Sequence, residues 1–160
     1  MTATKDAATH LAELFTRFGD CPAAPGAKEV DIAEIKKVFT EFQLPLPTDL
    51  LEVYKITLGI FGVLHCDPVL YSPCIFDGPP FSQVDTLIWE QEDAEKKGVL
   101  WLGISSKSDL IIDLDGQCGT LPDFHEDGTV GIINPTDFET AFLAYVKDQE
   151  AELRNEYGEI

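Results

Sequence analysis

The hydrophobic pattern of the chain changes period twice. Apolar residues first recur every three to four positions, as one face of a helix requires. From residue 99 they alternate, as a strand requires, and after residue 136 the helical spacing returns. In the first part, Leu11, Leu14, Phe15 and Phe18 form a stripe at i, i+3, i+4 and i+7 that predicts a helix over 8–18, stopped by Gly19. Asp31 is the expected cap of a second helix, with Glu34 three residues on in a capping-box arrangement. Ile32, Ile35, Phe39 and Phe42 supply its buried face. Pro45 and Pro47 forbid helix in the next link. A third helix is expected at about 48–57, with Leu50, Leu51, Tyr54 and Leu58 turned inward.

The middle is harder to read. Residues 60–82 are apolar but interrupted by Pro68, Pro73, Pro79 and Pro80, which predicts a short strand near 61–66 and then a long irregular segment. Helix is expected again over 83–96, with Val84, Leu87 and Ile88 buried and Glu90, Glu92, Asp93 and Glu95 outward. VLWLGIS (99–105) and DLIIDLD (109–115) read as two strands joined by a Ser-Lys-Ser turn. Period-two alternation places Leu110, Ile112 and Leu114 on one face of the second strand, and Asp109, Ile111, Asp113 and Asp115 on the other. TLPDFHED is a third strand with Asp123 and His125 opposite Phe124, and Gly128 turns the chain into a fourth, TVGIIN. A Thr136–Glu139 capping box opens the last helix, whose stripe is Phe138, Ala141, Phe142, Tyr145 and Val146. The polar run after 147 predicts fraying. Helices, then an antiparallel sheet meander, then a closing C-terminal helix is an α+β arrangement, with the N-terminal helices packed on one side of the sheet. At 160 residues, a single domain over 1–160 is expected.

Charge narrows the function. Against 11 Lys and Arg stand 29 Asp and Glu, a formal net charge of −18. Such a surface repels phosphate backbones and anionic membranes, so nucleic acid and membrane are not expected partners. No apolar run approaches the roughly 20 residues of a membrane span. MTATKDAATH lacks a basic region followed by an apolar one, so no signal peptide is read and a cytoplasmic setting is expected. Cys21, Cys66, Cys74 and Cys118 form no C-x-x-C pair, and their spacings fit no zinc pattern. They read as small, reduced, buried residues.

Catalytic and metal chemistry were tested against their spacing requirements. A calcium loop takes oxygen ligands at positions 1, 3, 5, 7, 9 and 12 with glycine at 6. DFHEDGTVGIIN puts Asp123, His125, Asp127 and Gly128 at 1, 3, 5 and 6, but has an imidazole at 3 and Asn134 at 12; the frame starting at Asp113 puts Cys118 at 6. Both read better as solvated Asp- and Gly-rich turns. No nucleophile elbow, H-E-x-x-H or phosphate loop is present, and His10, His65 and His125 form no ligand pair. No enzyme activity, catalytic residue, metal or cofactor is expected. A net charge of −18 nevertheless exceeds the magnitude of about 2 to 8 that solubility asks of a small domain. A field of that sign accelerates association with a basic partner by about 10 to 10³-fold.

Three stretches resemble the SMI1/KNR4 (SUKH) superfamily. LPLPTDLLEVYKITLG is similar to its Leu-Pro, helix, Asn-Gly-Gly segment. LWLGISSKSDLIIDLDGQCGTLPDFHEDG is similar to its central hairpins, and TDFETAFLAYV to its closing Ser-Phe-x-x-Phe-Leu helix. Together they span about 31–147 in the family's order. The Asn-Gly-Gly position departs, being Thr57-Leu58-Gly59 followed by Gly62. The resemblance implies an α+β fold without shared catalytic residues. It further implies either an immunity protein, neutralising a toxin delivered by contact-dependent inhibition or type VI secretion, or an intracellular adaptor or regulator of the same fold. A nuclease toxin presents cations to phosphate, which an acidic protein can occupy. The expected contact surface is therefore Asp109, Asp113, Asp115, Asp123, Glu126 and Asp127, with Glu90, Glu92 and Asp93 second. Tyr71, Phe76 and Phe81 are candidate aromatic anchors, or simply packing under the proline-rich loop.

Overall fold

The computed structural model describes residues 2–19, 22–61, 68–73, 96–105 and 107–158. Three helices come first: α1 (Ala3–Phe18), α2 (Glu29–Glu41) and α3 (Thr48–Ile56). Helix α1 starts five residues before the expected position 8, because the Thr2 hydroxyl accepts the Lys5 N–H at 3.2 Å and Thr4 and Ala8 extend the buried face. In α2 the capping residue is Lys28, not Asp31. Asp31 sits in the first turn, where its carboxylate reaches back to accept the Lys28 N–H at 2.8 Å. A carboxylate there complements the positive end of the helix and satisfies an orphan donor. Just past α2, Gln43 takes φ 57° and the Leu44 N–H returns to the Phe39 carbonyl at 2.9 Å.

The strands follow in chain order: β1 (Ile60–Phe61), β2 (Pro68–Leu70), β3 (Val99–Ile104), β4 (Asp109–Asp113), β5 (Cys118–Gly119), β6 (Pro122–Phe124) and β7 (Val130–Ile132). All pairings are antiparallel, in three pieces: β1-β2, β3-β4-β5 and β6-β7. The Tyr71 N–H donates to the Leu102 carbonyl at 2.8 Å and ties β2 to β3. Strand β2 was not legible in the sequence. It opens on Pro68, which a strand tolerates at its first position. Of the helix expected over 83–96, residues 83–95 lie outside the described residues.

The chain closes with α4 (Phe138–Tyr157). Its cap is Asp137, whose carboxylate accepts the Thr140 N–H at 2.8 Å. Thr136, the expected cap, is instead bridged to Cys118 by two backbone hydrogen bonds of 2.8 Å. The expected fraying after 147 is also corrected, since Gln149 and Leu153 are buried. Tyr157 stacks on Phe18 with ring centroids 5.3 Å apart, so α1 holds the last turns.

One face of the β3–β4 pair (Leu100, Leu102, Leu110, Ile112) joins the buried residues of the helices in a single core. The helices contribute chiefly Leu11, Phe15, Ile35, Phe39, Tyr54, Phe142 and Tyr145. Two tyrosine hydroxyls cross it to satisfy strand carbonyls, as buried polar groups must be satisfied. Tyr54 donates to Tyr71 O, and Tyr145 donates to Val69 O at 2.8 Å. No helix among the described residues is long and apolar enough to cross a membrane.

Candidate partner-binding surface

Strand β4 does not present one acidic face. Leu110, Ile111 and Ile112 are all fully buried, so both sides of its middle are covered. Ile111 therefore separates Asp109 from Asp113, although alternation puts all three on one side. Its neighbour β5 carries Gly119, against whose bare backbone the Ile132 side chain of β7 rests. The β6–β7 hairpin thus lies over the outer side of the sheet. Leu114, expected to share the core face with Leu110 and Ile112, is exposed beyond the strand end.

The six acidic residues expected in contact divide by what their carboxylates do. Asp109 is half-buried and accepts the Trp101 indole N–H at 2.9 Å. Burial pushes its carboxyl above the ordinary range, partly opposed by that bond and one from Ser105. It faces the protein more than a partner. Asp113 shapes the β4–β5 turn: one carboxylate oxygen accepts the N–H groups of Asp115 and Gln117, both at 2.9 Å. Gly116, at φ 86°, closes that turn with an N–H to the Asp113 carbonyl at 3.0 Å. Asp127 does the same for the β6–β7 turn. It accepts the Thr129 hydroxyl at 2.6 Å and N–H at 2.9 Å, bonds that hold its carboxyl below the usual carboxylate range. Asp115, Asp123 and Glu126 are exposed, with no ion pair among the described residues.

Of the remaining expected residues, Glu90, Glu92, Asp93, Phe76 and Phe81 lie outside the described residues. Tyr71 is corrected: it is fully enclosed in the core, with its backbone carbonyl taken by Tyr54, and cannot enter a partner. The most exposed aromatic side chain among the described residues is Phe124, 70% accessible at the last pair of the β6–β7 hairpin, opposite Val130. The sequence placed it correctly on the face away from Asp123 and His125. The imidazole of His125 lies against Gly131, where a Cβ would come within 3.0 Å of Nε2. What alternation could not indicate is that Phe124, unlike Val130, is left uncovered.

A second feature is a groove of about 440 Å³ between the 45–49 link, the β4–β5 turn and the start of α4. Pro45, Asp49, Asp115, Gln117, Asp137 and Glu139 are among its lining residues. Hydrogen bonds from Thr140 hold the Asp137 carboxyl below its ordinary range, so it stays ionised. The hairpin and two of the groove's three walls, the β4–β5 turn and the start of α4, belong to one stretch of chain. From Ser108 to Val146 the sequence has eight Asp and Glu and no Lys or Arg. Cys118, in the same stretch, is buried, and burial, reinforced by Asp113 and Asp137, pushes its thiol up to about 12. That leaves it a neutral packing group and a poor nucleophile. Among the described residues no three His, Cys, Asp or Glu converge to hold a metal ion. What this stretch offers a partner is negative charge, held on a hydrogen-bonded frame and carried by residues among which there is no Lys or Arg. No protein family, curated protein or solved structure matches the chain.

Proposed function

We propose that this protein is a cytoplasmic immunity protein of the SMI1/KNR4 type that binds a basic toxin stoichiometrically and blocks it without chemistry of its own. The observation that carries the reading is the cation-free stretch from Ser108 to Val146, which sets Asp115 and Glu126 outward on two turns and Asp123 outward on β6, and lines the groove with Asp115, Asp137 and Glu139, to which the segment before it adds Asp49. Asp113 and Asp127 fix those turns through their own backbone bonds, so the exposed charges are positioned before a partner arrives. Preorganised charge steers encounter and fixes register. The α+β arrangement agrees with the fold that the sequence resemblance implies.

The test has two stages. The tagged protein captures partners at about 0.5 M salt, where exposed charges are screened beyond roughly 4 Å. Each captured protein is then expressed alone and beside this chain. A single stoichiometric basic partner, toxic alone and harmless in co-expression, is the expected result. Several substoichiometric partners with no toxicity would replace immunity by an adaptor role.

A further inference from the structure

Charge alone gives rate and register but seldom tight binding, which comes from aromatic and apolar groups desolvated at the centre of a contact. Among the described residues, Phe124 is the most exposed aromatic at 70%. Four observations bear on it. Phe124–Val130 is the last strand pair before the loop, so the ring stands at the tip of the hairpin. That tip is held by the His125 N–H to Thr129 O at 2.9 Å, the Gly128 N–H to His125 O at 3.1 Å, and the two Asp127–Thr129 bonds. The backbone that carries the ring therefore does not need to be ordered on binding, which removes part of the entropic cost of association. Its near neighbours in the chain, Asp123, Glu126 and Asp127, are exposed carboxylates, and the hairpin carries no Lys or Arg. Finally, a second copy of this chain would set the same carboxylates against each other and add another −18.

We propose that Phe124 is the apolar anchor of the interface, and that its occupant is a basic protein surface with an apolar pocket rimmed by Lys or Arg. The proposal rests on the reading of this chain as a binder of a basic protein. It adds the site and the shape: an aromatic plug in a ring of negative charge, presented by a rigid hairpin. The carboxylates meet the cationic rim while the ring is withdrawn from water.

The probes are two peptides of equal positive charge, oligolysine and an alternating leucine–lysine sequence, titrated into isotope-labelled full-length protein and followed by amide NMR shifts. The leucine–lysine peptide is expected to bind about tenfold more tightly than oligolysine, with the largest shifts over 121–133. Phe124→Ala is expected to abolish that advantage and leave oligolysine affinity unchanged, while Phe124→Leu keeps most of it. Three results would overturn the proposal while the basic-partner reading stands. One is an advantage that survives Phe124→Ala. Another is a fall in thermal stability in Phe124→Ala with unchanged peptide binding, which would make the ring part of the fold's own packing. The last is a concentration-dependent dimer dissolved by Phe124→Ala, which would make the occupant a second copy. Failure of both peptides to bind at low salt would overturn the anchor and the basic-partner reading together.

Discussion

Reversing charge at Asp113 and at Asp115 separates what holds the hairpin from what meets a partner. The two residues are two positions apart and chemically identical, but only Asp113 accepts backbone N–H groups, from Asp115 and Gln117, both at 2.9 Å. A hydrogen bond to a charged acceptor is worth about 1.5–3 kcal/mol when sheltered. Asp113 is only half-buried, so water replaces part of that, and about 1.5–2 kcal/mol for the pair is a fair expectation. Asp113→Lys removes both bonds and is expected to lower the melting temperature by about 3–8 °C in a chain of this size. Asp113→Asn keeps an acceptor oxygen and is expected to lose less than half as much. Asp115→Lys touches nothing in the fold and should stay within about 0.5 kcal/mol of the wild type. Urea and thermal unfolding of the three variants decide it. Equal destabilisation by Asp113→Lys and Asp115→Lys, or none by either, would refute the assignment of the turn to the Asp113 carboxylate. The same variants then go to binding, where Asp115→Lys is expected to slow association with an intact fold.

Three further outcomes follow from the geometry. Leu153→Ala is expected to cost about 2–4 kcal/mol in urea unfolding, because Leu153 is buried in the core in a part of α4 whose polar sequence suggests fraying. Asp109 has its carboxyl raised by burial, so its contribution to stability is full below the unfolded value of 3.8 and is lost as pH rises through the raised folded value. Asp109→Asn, which keeps an acceptor for Trp101, should therefore raise the melting temperature at pH 7 and not at pH 3. Gly103→Ala would drive a methyl into the Val69 carbonyl and to 2.9 Å from the Tyr145 hydroxyl, against backbone that has no room to give. A loss of about 1–3 kcal/mol and a weakened Tyr145–Val69 bond are expected.

The helices and the fold class were legible because burial and period coincide in them. The stripe of α4 reads directly as its buried face, and that of α1 does so apart from the part-exposed Phe18; in α3, Leu50 and Tyr54 are buried as expected, but Val53 is buried where Leu51 was expected. The caps were less legible. Asp31-x-x-Glu34 and Thr136-x-x-Glu139 both fit a capping box, yet neither Asp31 nor Thr136 is the cap, because one backbone is positioned by Lys28 and the other is committed to Cys118. The tail of α4 was misread because its few apolar contacts, Leu153 on the core and Tyr157 on Phe18, are spaced too widely to make a stripe. The acidic surface was legible as composition but not as geometry. Alternation along β4 cannot reveal that the β6–β7 hairpin lies over its outer side, nor that Asp109 and Asp113 are turned to internal donors. Phe124 stood on its correct face in the sequence, but exposure is a tertiary property, and nothing local distinguishes it from the buried Val130 opposite.

The central claim is that the acidic stretch from Ser108 to Val146 steers a basic partner onto this fold. It is tested most directly by the association rate constant of the captured partner, measured across a range of ionic strength for the wild type and for Asp115→Lys with Glu126→Lys. The account predicts a wild-type rate that falls steeply with salt, and a double variant that is slower at low salt and has a shallower salt slope while unfolding at the wild-type temperature. A wild-type rate indifferent to salt, or a double variant with the wild-type rate and salt slope, would contradict it.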